Sequence, residues 1–458
     1  MNVIWIVSDT FRKDHLGCYG NKTIKTPSLD EFAAKSVRFE RHYAANFPTM
    51  PARADFYTGR FTGSFMRWEP MPRGQTTISK VLLGAGFHTA AVVDTPFYIR
   101  DNMNYDHRFR TFIEVPGQEY WMQGLGDDIR RSWRFESDRL APQTFTKAMQ
   151  WLENHYKEDF FLYIDAWDPH EPWDAPDYYT ELYWPDYDGE IIEPVYAHWQ
   201  DVPGFTENKV KKAHATYCGE ISMVDTWVGY FLRQVENMGL MDKTAIIFTT
   251  DHGFYFGEHN GLFGKLTRAV PSTTPYWFEA GTVLLAGGWT RSPLFEETIA
   301  CPLLIYVPGI QPSFYKGLTS AIDLMPTVLD ILGQEIPMVV EGHSLLPAMK
   351  DSSVKGREFV ISTHPFSNPG HIIRSVDGQE RVTEGSDTTI TTDEWSLLYY
   401  TEPGQSWLYH LPSDPKQEKN IINEHPEIAK ELHQLLVKFM YDTDLAPELR
   451  DPRLELNL

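Results

Sequence analysis

The chain has 458 residues, 42% of them hydrophobic, enough to bury a large core with a smaller unit beside it. Its formal net charge of −22 excludes nucleic-acid or anionic-membrane binding as a main activity, because both need a basic surface. Cys18, Cys218 and Cys301 stand singly, which excludes a disulfide framework and a cysteine metal cluster, and no stretch approaches the roughly 18 apolar residues of a membrane span.

The opening MNVIWIV reads as a first strand, without the charged lead or cleavage site of a signal peptide, so a cytoplasmic protein is expected. It runs into SDTFRKDHLGCYG, which offers Asp9. Residues 47–60, FPTMPARADFYTGR, predict a short helix with Pro51 in its first turn, Arg53 one turn after Thr49, and Gly59 closing it. Backbone N–H groups, the helix dipole and a guanidinium favour an anion there, and Thr49 reads either as the helix cap or as a nucleophile.

Further apolar runs follow in FHTAAVVD, FFLYIDAW, TAIIFTTD and CPLLIYVPG, interleaved with helical patterns. That alternation predicts an α/β fold with a large, mostly parallel sheet flanked by helices. Tyr217, Ile221, Val224, Val228, Phe231 and Val235 fall at spacings of three and four, one buried helix stripe. Asp9, Asp94, Asp165 (with Asp168 just beyond) and Asp251 end strand runs, where acids from distant parts of a chain converge on one site or cap the next helix. TTDHGFYFGEHNGLFGK adds His252, His259 and Lys265; an Asp-His pair before a glycine suits either a turn or a cation. With Thr49 included, a bound cation would lower the hydroxyl pKa. Residues 266–292 are rich in aromatics and glycine, and Trp277, Phe278 and Trp289 read as a lid wall, an oligomer contact or local packing. From about residue 355 the short runs HIIRSVDG, EWSLLYYTE and SWLYHLP predict antiparallel strands, and PEIAKELHQLLVKFM a closing helix. The expected division is a catalytic domain over 1–354 and an α+β subdomain over 355–458.

The order of SDTFRKDHLGCYG, TPSLDEFA, TMPARADFYTGR, DPHEPWDAP, YCGEISMVDTWVGYFL, TTDHGFYFGEH, IDLMPTVLDILG and EGHSLLP resembles the sulfatase family of the alkaline phosphatase superfamily nearly end to end. The resemblance implies an alkaline phosphatase-like sandwich with a small C-terminal antiparallel sheet. It also implies hydrolysis of an ester. Sulfatases carry Cys or Ser in C/S-x-P-x-R, converted to formylglycine, whereas this chain reads T-M-P-A-R. A threonine β-carbon already bears a methyl group, so no formylglycine is expected. In place of the family's sulfate-holding Lys and His stand Asp94, Thr95 and Pro96, which suits a substrate with less negative charge and resembles the phosphonate monoester hydrolase and phosphodiesterase branch. Ser8 precedes Asp9 where two adjacent acids are common.

The site carried over is Asp9, Thr49, Asp251 and His252 on one divalent metal ion, Mn²⁺ or Zn²⁺ ahead of Mg²⁺ or Ca²⁺ because of the histidine. Arg53, His170 and Lys265 would serve catalysis, Arg53 on the nucleophile and phosphoryl oxygens and His170 as proton donor to the leaving oxygen. Asp94, Thr95 and His259 would contact substrate. A second metal would have to recruit His170, His214 or His259. The expected activity is hydrolysis of a small anionic phosphodiester or phosphonate monoester through phosphothreonine, with no nucleic-acid or membrane partner and with a homo-oligomer left open. Sulfuric ester hydrolysis, phosphoryl transfer and anion binding without turnover are the alternatives.

Overall fold

A computed structural model describes residues 1–95, 97–117, 126–265, 267–268, 289–290, 292–376, 379–383 and 385–458. Its centre is an eight-stranded sheet. In chain order the strands are β1 (Asn2–Ser8), β2 (Val37–Tyr43), β3 (His88–Val93), β4 (Thr111–Glu114), β5 (Phe160–Ala166), β6 (Thr244–Thr249), β7 (Ala300–Tyr306) and β8 (Ser313–Ser320). Across the sheet the order is β8-β2-β7-β6-β1-β5-β3-β4. Only β7 runs against its neighbours, antiparallel to both β2 and β6, so CPLLIYVPG is the one predicted strand that departs from the parallel pattern.

β1 lies between β5 and β6, parallel to both. Its side chains alternate between two apolar layers, Val3, Trp5 and Val7 on one face and Ile4 and Ile6 on the other. A strand covered on both faces reads as a continuous apolar run, which is why it was legible. Each buried Val or Ile contributes about 1.5–3 kcal/mol relative to exposure. Helix α1 (Thr49–Thr58) is buried along its whole length and ends at Gly59, whose φ of 60° a side chain would resist. Helix α2 (Leu140–His155) and the 31-residue α3 (Glu207–Asn237) cover the Ile4 face, with the predicted stripe from Tyr217 to Val235 fully buried. The Thr206 side chain accepts from Lys209 N and caps α3.

A second, antiparallel sheet follows: β9 (Val360–Thr363), β10 (Thr388–Thr391), β11 (Trp395–Tyr399) and β12 (Trp407–His410), in that order, then helix α4 (Pro426–Asp442). Ile361, Leu397, Leu432 and Leu436 join the apolar layer of Val3 and Trp5. Phe47 N donates to Thr363 O and Thr363 N to Ala45 O, both at 2.9 Å, which ties this sheet to the segment leading into α1. Trp277 and Phe278 lie outside the described residues, and Trp289–Thr290 forms a two-residue strand against Thr267–Arg268. Among the described residues no helix is long and apolar enough to cross a membrane.

Candidate active site

The carboxyl ends of β1, β5 and β6 meet the start of α1. Asp9 follows β1, Asp165 lies near the end of β5, and Asp251 follows β6 by two residues; all three are fully buried. Arg53, also without solvent exposure, joins them. Its Nε and Nη2 reach the two oxygens of Asp165 at 3.0 and 2.8 Å, a fork that fixes the guanidinium plane. Nη1 lies 2.9 Å from Asp9 Oδ2, pairs with Asp251 Oδ2, and donates to the Thr49 carbonyl at 3.3 Å. Tyr98 and Tyr163 hydroxyls donate to Asp165 Oδ2, and Thr95 Oγ1 to Oδ1 at 3.4 Å. One arginine thus faces three buried carboxylates, an arrangement short of positive charge.

His252 completes a group with Asp9 and Asp251 whose ligand atoms lie within 4.8 Å of one another. Its Nδ1 donates to Gly253 O at 2.9 Å, leaving Nε2 as a lone pair without a hydrogen-bond partner. Neither oxygen of Asp9 receives a hydrogen bond. Burial pushes the Asp9 carboxyl well above its usual range, and the neighbouring Asp251 adds to the rise, more than Arg53 and Lys265 offset. Burial acts the same way on Asp251, yet Arg53 and its other partners hold that acid below the usual range. His252 is pushed down to about 4 by burial, against the pull of Asp251, so it is neutral near pH 7. Asp9 oxygens that meet only the Arg53 ion pair and an imidazole nitrogen without a hydrogen bond, beside excess negative charge, fit a divalent cation. Gly253 is required here because a Cβ would sit 2.0 Å from the Glu297 carbonyl oxygen.

Thr49 is the first residue of α1. The cap position belongs to Pro48 and no side chain caps the helix, which removes the cap reading of Thr49. Its side chain is 2% exposed. Lys265, 6% exposed, donates from Nζ to His170 Nε2, and its charge is felt by Asp9 and His252. His170 packs on Trp167, ring centroids 3.8 Å apart, and its Nδ1 donates to Glu171 O at 2.8 Å. Burial and then the Lys265 charge press its pKa well below the ordinary value. In this arrangement His170 Nε2 accepts from Lys265 rather than presenting a proton.

Two expected substrate contacts are placed elsewhere. Asp94 accepts from Trp167 N and from Thr144 Oγ1 at 2.9 Å, so both oxygens brace the end of β3 against α2 and the loop after β5. His259 pairs with Glu297 at 2.9 Å and stacks on Phe295 at 3.6 Å, outside the Asp9 cluster. Thr95 Oγ1 reaches Asp165, the carboxylate that forks onto Arg53. Sequence reading missed Thr10. Its φ is 57°, unusual for a β-branched residue, its N–H donates to Asp251 Oδ1 at 3.1 Å, and its hydroxyl is buried without a partner. The available signal was its place directly after Asp9. Phe47, with its ring 4.6 Å from that of His252, supplies an apolar wall the sequence did not mark.

A metal-ready cluster at the carboxyl edge of this sheet, facing an anchored arginine and a helix that starts at a hydroxyl, defines an α/β hydrolase of the alkaline phosphatase superfamily. The sulfatase family model matches residues 1–334, and a second model, N-sulphoglucosamine sulphohydrolase, C-terminal, matches residues 287–442. The chain belongs to the sulfatase family, hydrolases of ester bonds that use a divalent metal. It is 25% identical to an arylsulfatase of Clostridium perfringens over 95% of this chain and 94% of that protein. The fold is similar to the phosphonate monoester hydrolase of Agrobacterium radiobacter (TM-score 0.73, 18% identity, 96% of each chain). It is likewise similar to a structure described as bound to its substrate D-glucosamine-2-N,6-O-disulfate (TM-score 0.75, 19% identity, 99% of each chain).

Proposed function

We propose that the protein hydrolyses a phosphodiester or phosphonate monoester, with Thr49 as the nucleophile and phosphothreonine as the intermediate. The observation that carries this reading is a threonine at the start of α1, its backbone held by Arg53 between Asp9 and Asp251. Formylglycine hydrate expels sulfate by collapsing to an aldehyde, a route closed to threonine. Phosphorus accepts in-line attack by oxygen, and water then reopens the ester at phosphorus.

Asp9, Asp251 and His252, with Thr49, would hold the cation, Mn²⁺ or Zn²⁺ by virtue of the histidine. When bound, it lowers the pKa of the Thr49 hydroxyl and balances charge on the phosphoryl group. Arg53 orients Thr49 and stabilises charge that grows on the phosphoryl oxygens. Thr49 gives up its hydroxyl proton to solvent before attack; as the Oγ1–P bond forms and the bond from phosphorus to the leaving oxygen breaks, Lys265 Nζ gives that oxygen a proton. His170 Nε2 aligns the ammonium. In the second half, water loses a proton to the neutral Lys265, its oxygen bonds to phosphorus as the Thr49 Oγ1–P bond breaks, and Thr49 takes its proton back from solvent.

Sulfuric ester hydrolysis is the second reading, favoured by the family model and by the arylsulfatase name of the Clostridium perfringens relative. Aryl phosphodiester, phosphonate monoester, phosphomonoester and sulfate substrates, offered to the Mn²⁺- or Zn²⁺-loaded enzyme and to Thr49→Ala, separate the two. Diester or phosphonate turnover lost on the order of 10³-fold in Thr49→Ala supports the proposal. Sulfate release at a higher kcat/KM overturns it.

A further inference from the structure

The segment after Asp9 leads to a second group of metal-ligating side chains that shares no residue with the first. His15 and His214, 199 residues apart in sequence, bring their Nε2 atoms to 2.8 Å. Cys218 Sγ is 3.7 Å from His214 Nε2, and the three ligand atoms lie within 4.8 Å of one another. His214 and Cys218 are four residues apart on α3, hence on one face of that helix. His15 and Cys218 are buried and His214 is partly exposed, which leaves a path for an ion.

Two features prepare this group for a cation. Asp14 Oδ1 accepts from His15 Nδ1 at 2.8 Å, which turns the lone pair of Nε2 toward His214 and Cys218, and Arg12 holds Asp14 in place through Nε and Nη2 at 2.9 and 2.6 Å. A carboxylate behind a ligating imidazole is the usual support of a metal-bound histidine. The rings are also fixed, His15 edge-on to Tyr217 at 5.4 Å and His214 to Phe256 at 5.1 Å.

We propose that His15 Nε2, His214 Nε2 and Cys218 Sγ form a Zn²⁺ site, with water in the fourth position. One thiolate and two imidazoles suit a borderline-soft ion, in contrast to the oxygen-rich Asp9 cluster. On loading, the Cys218 thiol proton goes to solvent and the proton that His214 Nε2 gives to His15 Nε2 moves to His214 Nδ1; Zn²⁺ and Arg12 then balance the Cys218 thiolate, Asp14 and Glu258. Tetrahedral coordination at Zn–N of roughly 2.0–2.1 Å sets two nitrogens about 3.3 Å apart, so the imidazoles part by about half an ångström on loading. The ion would clamp residues 12–15 to α3.

The test is Co²⁺ titration and Zn²⁺ stoichiometry of the chelator-stripped whole protein. The wild type is expected to bind about two equivalents and, with Co²⁺, to show an intense near-ultraviolet thiolate-to-metal band. Cys218→Ser is expected to abolish the band, His214→Gln to reduce it, and each to cost about one equivalent; Asp9→Asn costs the other equivalent and leaves the band intact. The wild-type spectrum needs no variant to fold. A wild type without the band, or a stoichiometry that neither Cys218→Ser nor His214→Gln lowers, overturns the proposal.

Discussion

The ends of β1 and β3 carry the same signal in sequence, an apolar run closed by aspartate, yet the two acids have opposite surroundings. Asp94 is saturated by Trp167 N and Thr144 Oγ1, whereas Asp9 receives no hydrogen bond and faces Asp251 and Arg53. A strand-terminal carboxylate is thus a structural brace or a ligand according to what the neighbouring strands bring beside it. Position alone does not decide.

Amide substitution at each end separates the two acids most directly. Asp9→Asn is expected to lower kcat/KM on the order of 10³-fold or more and to remove the metal of the Asp9 cluster, read by metal analysis after gel filtration. Asp94→Asn is expected to keep that metal and most activity, and to lose about 1 kcal/mol of stability in urea, because the amide oxygen can still accept from Trp167 N only if its NH₂ turns to Thr144 Oγ1, which must then switch from donor to acceptor. If the two variants behave alike, the distinction fails.

Next in size is Asp165→Asn. Removing one partner of a fully buried pair is expected to cost about 3–5 kcal/mol in denaturant unfolding, since Arg53 keeps its charge and loses its fork. Lys265→Met is expected to slow turnover about 10²-fold for alkyl leaving groups and less for acidic aryl ones, which need no proton. A loss equal for both would assign Lys265 to phosphoryl binding alone.

The smallest effect is on pH. Burial lowers His42 to about 3 and His252 to about 4 in the folded chain, against about 6.5 unfolded. The unfolded chain therefore binds more protons between about pH 4 and 6.5, and stability rises with pH through that window. Melting of the chelator-stripped protein should show Tm falling as pH drops below about 6.5, and His42→Gln should flatten the fall.

Much of this was legible because burial on both faces writes itself as uninterrupted apolar runs: β1, β3, β5, β6 and β7 all stood out. β2, VRFERHY, did not, because Arg38, Glu40 and Arg41 alternate with its buried residues and look like surface. The convergence of Asp9, Asp251 and His252 was readable from strand ends, and the place of Arg53 from its spacing to Thr49. The roles of Asp94 and His259 were not, since they depend on Thr144 and Glu297, contacts 50 and 38 residues away. That His170 Nε2 accepts from Lys265 rests on a contact 95 residues apart that no spacing reveals.

Everything proposed for this site turns on Thr49 accepting the phosphoryl group. Peptide mass spectrometry of enzyme acid-quenched during steady-state turnover of an aryl phosphodiester tests it directly. A phosphorylated Thr49 that disappears when substrate is exhausted is expected; continuing turnover with Thr49 unmodified at every time point would rule Thr49 out as the nucleophile.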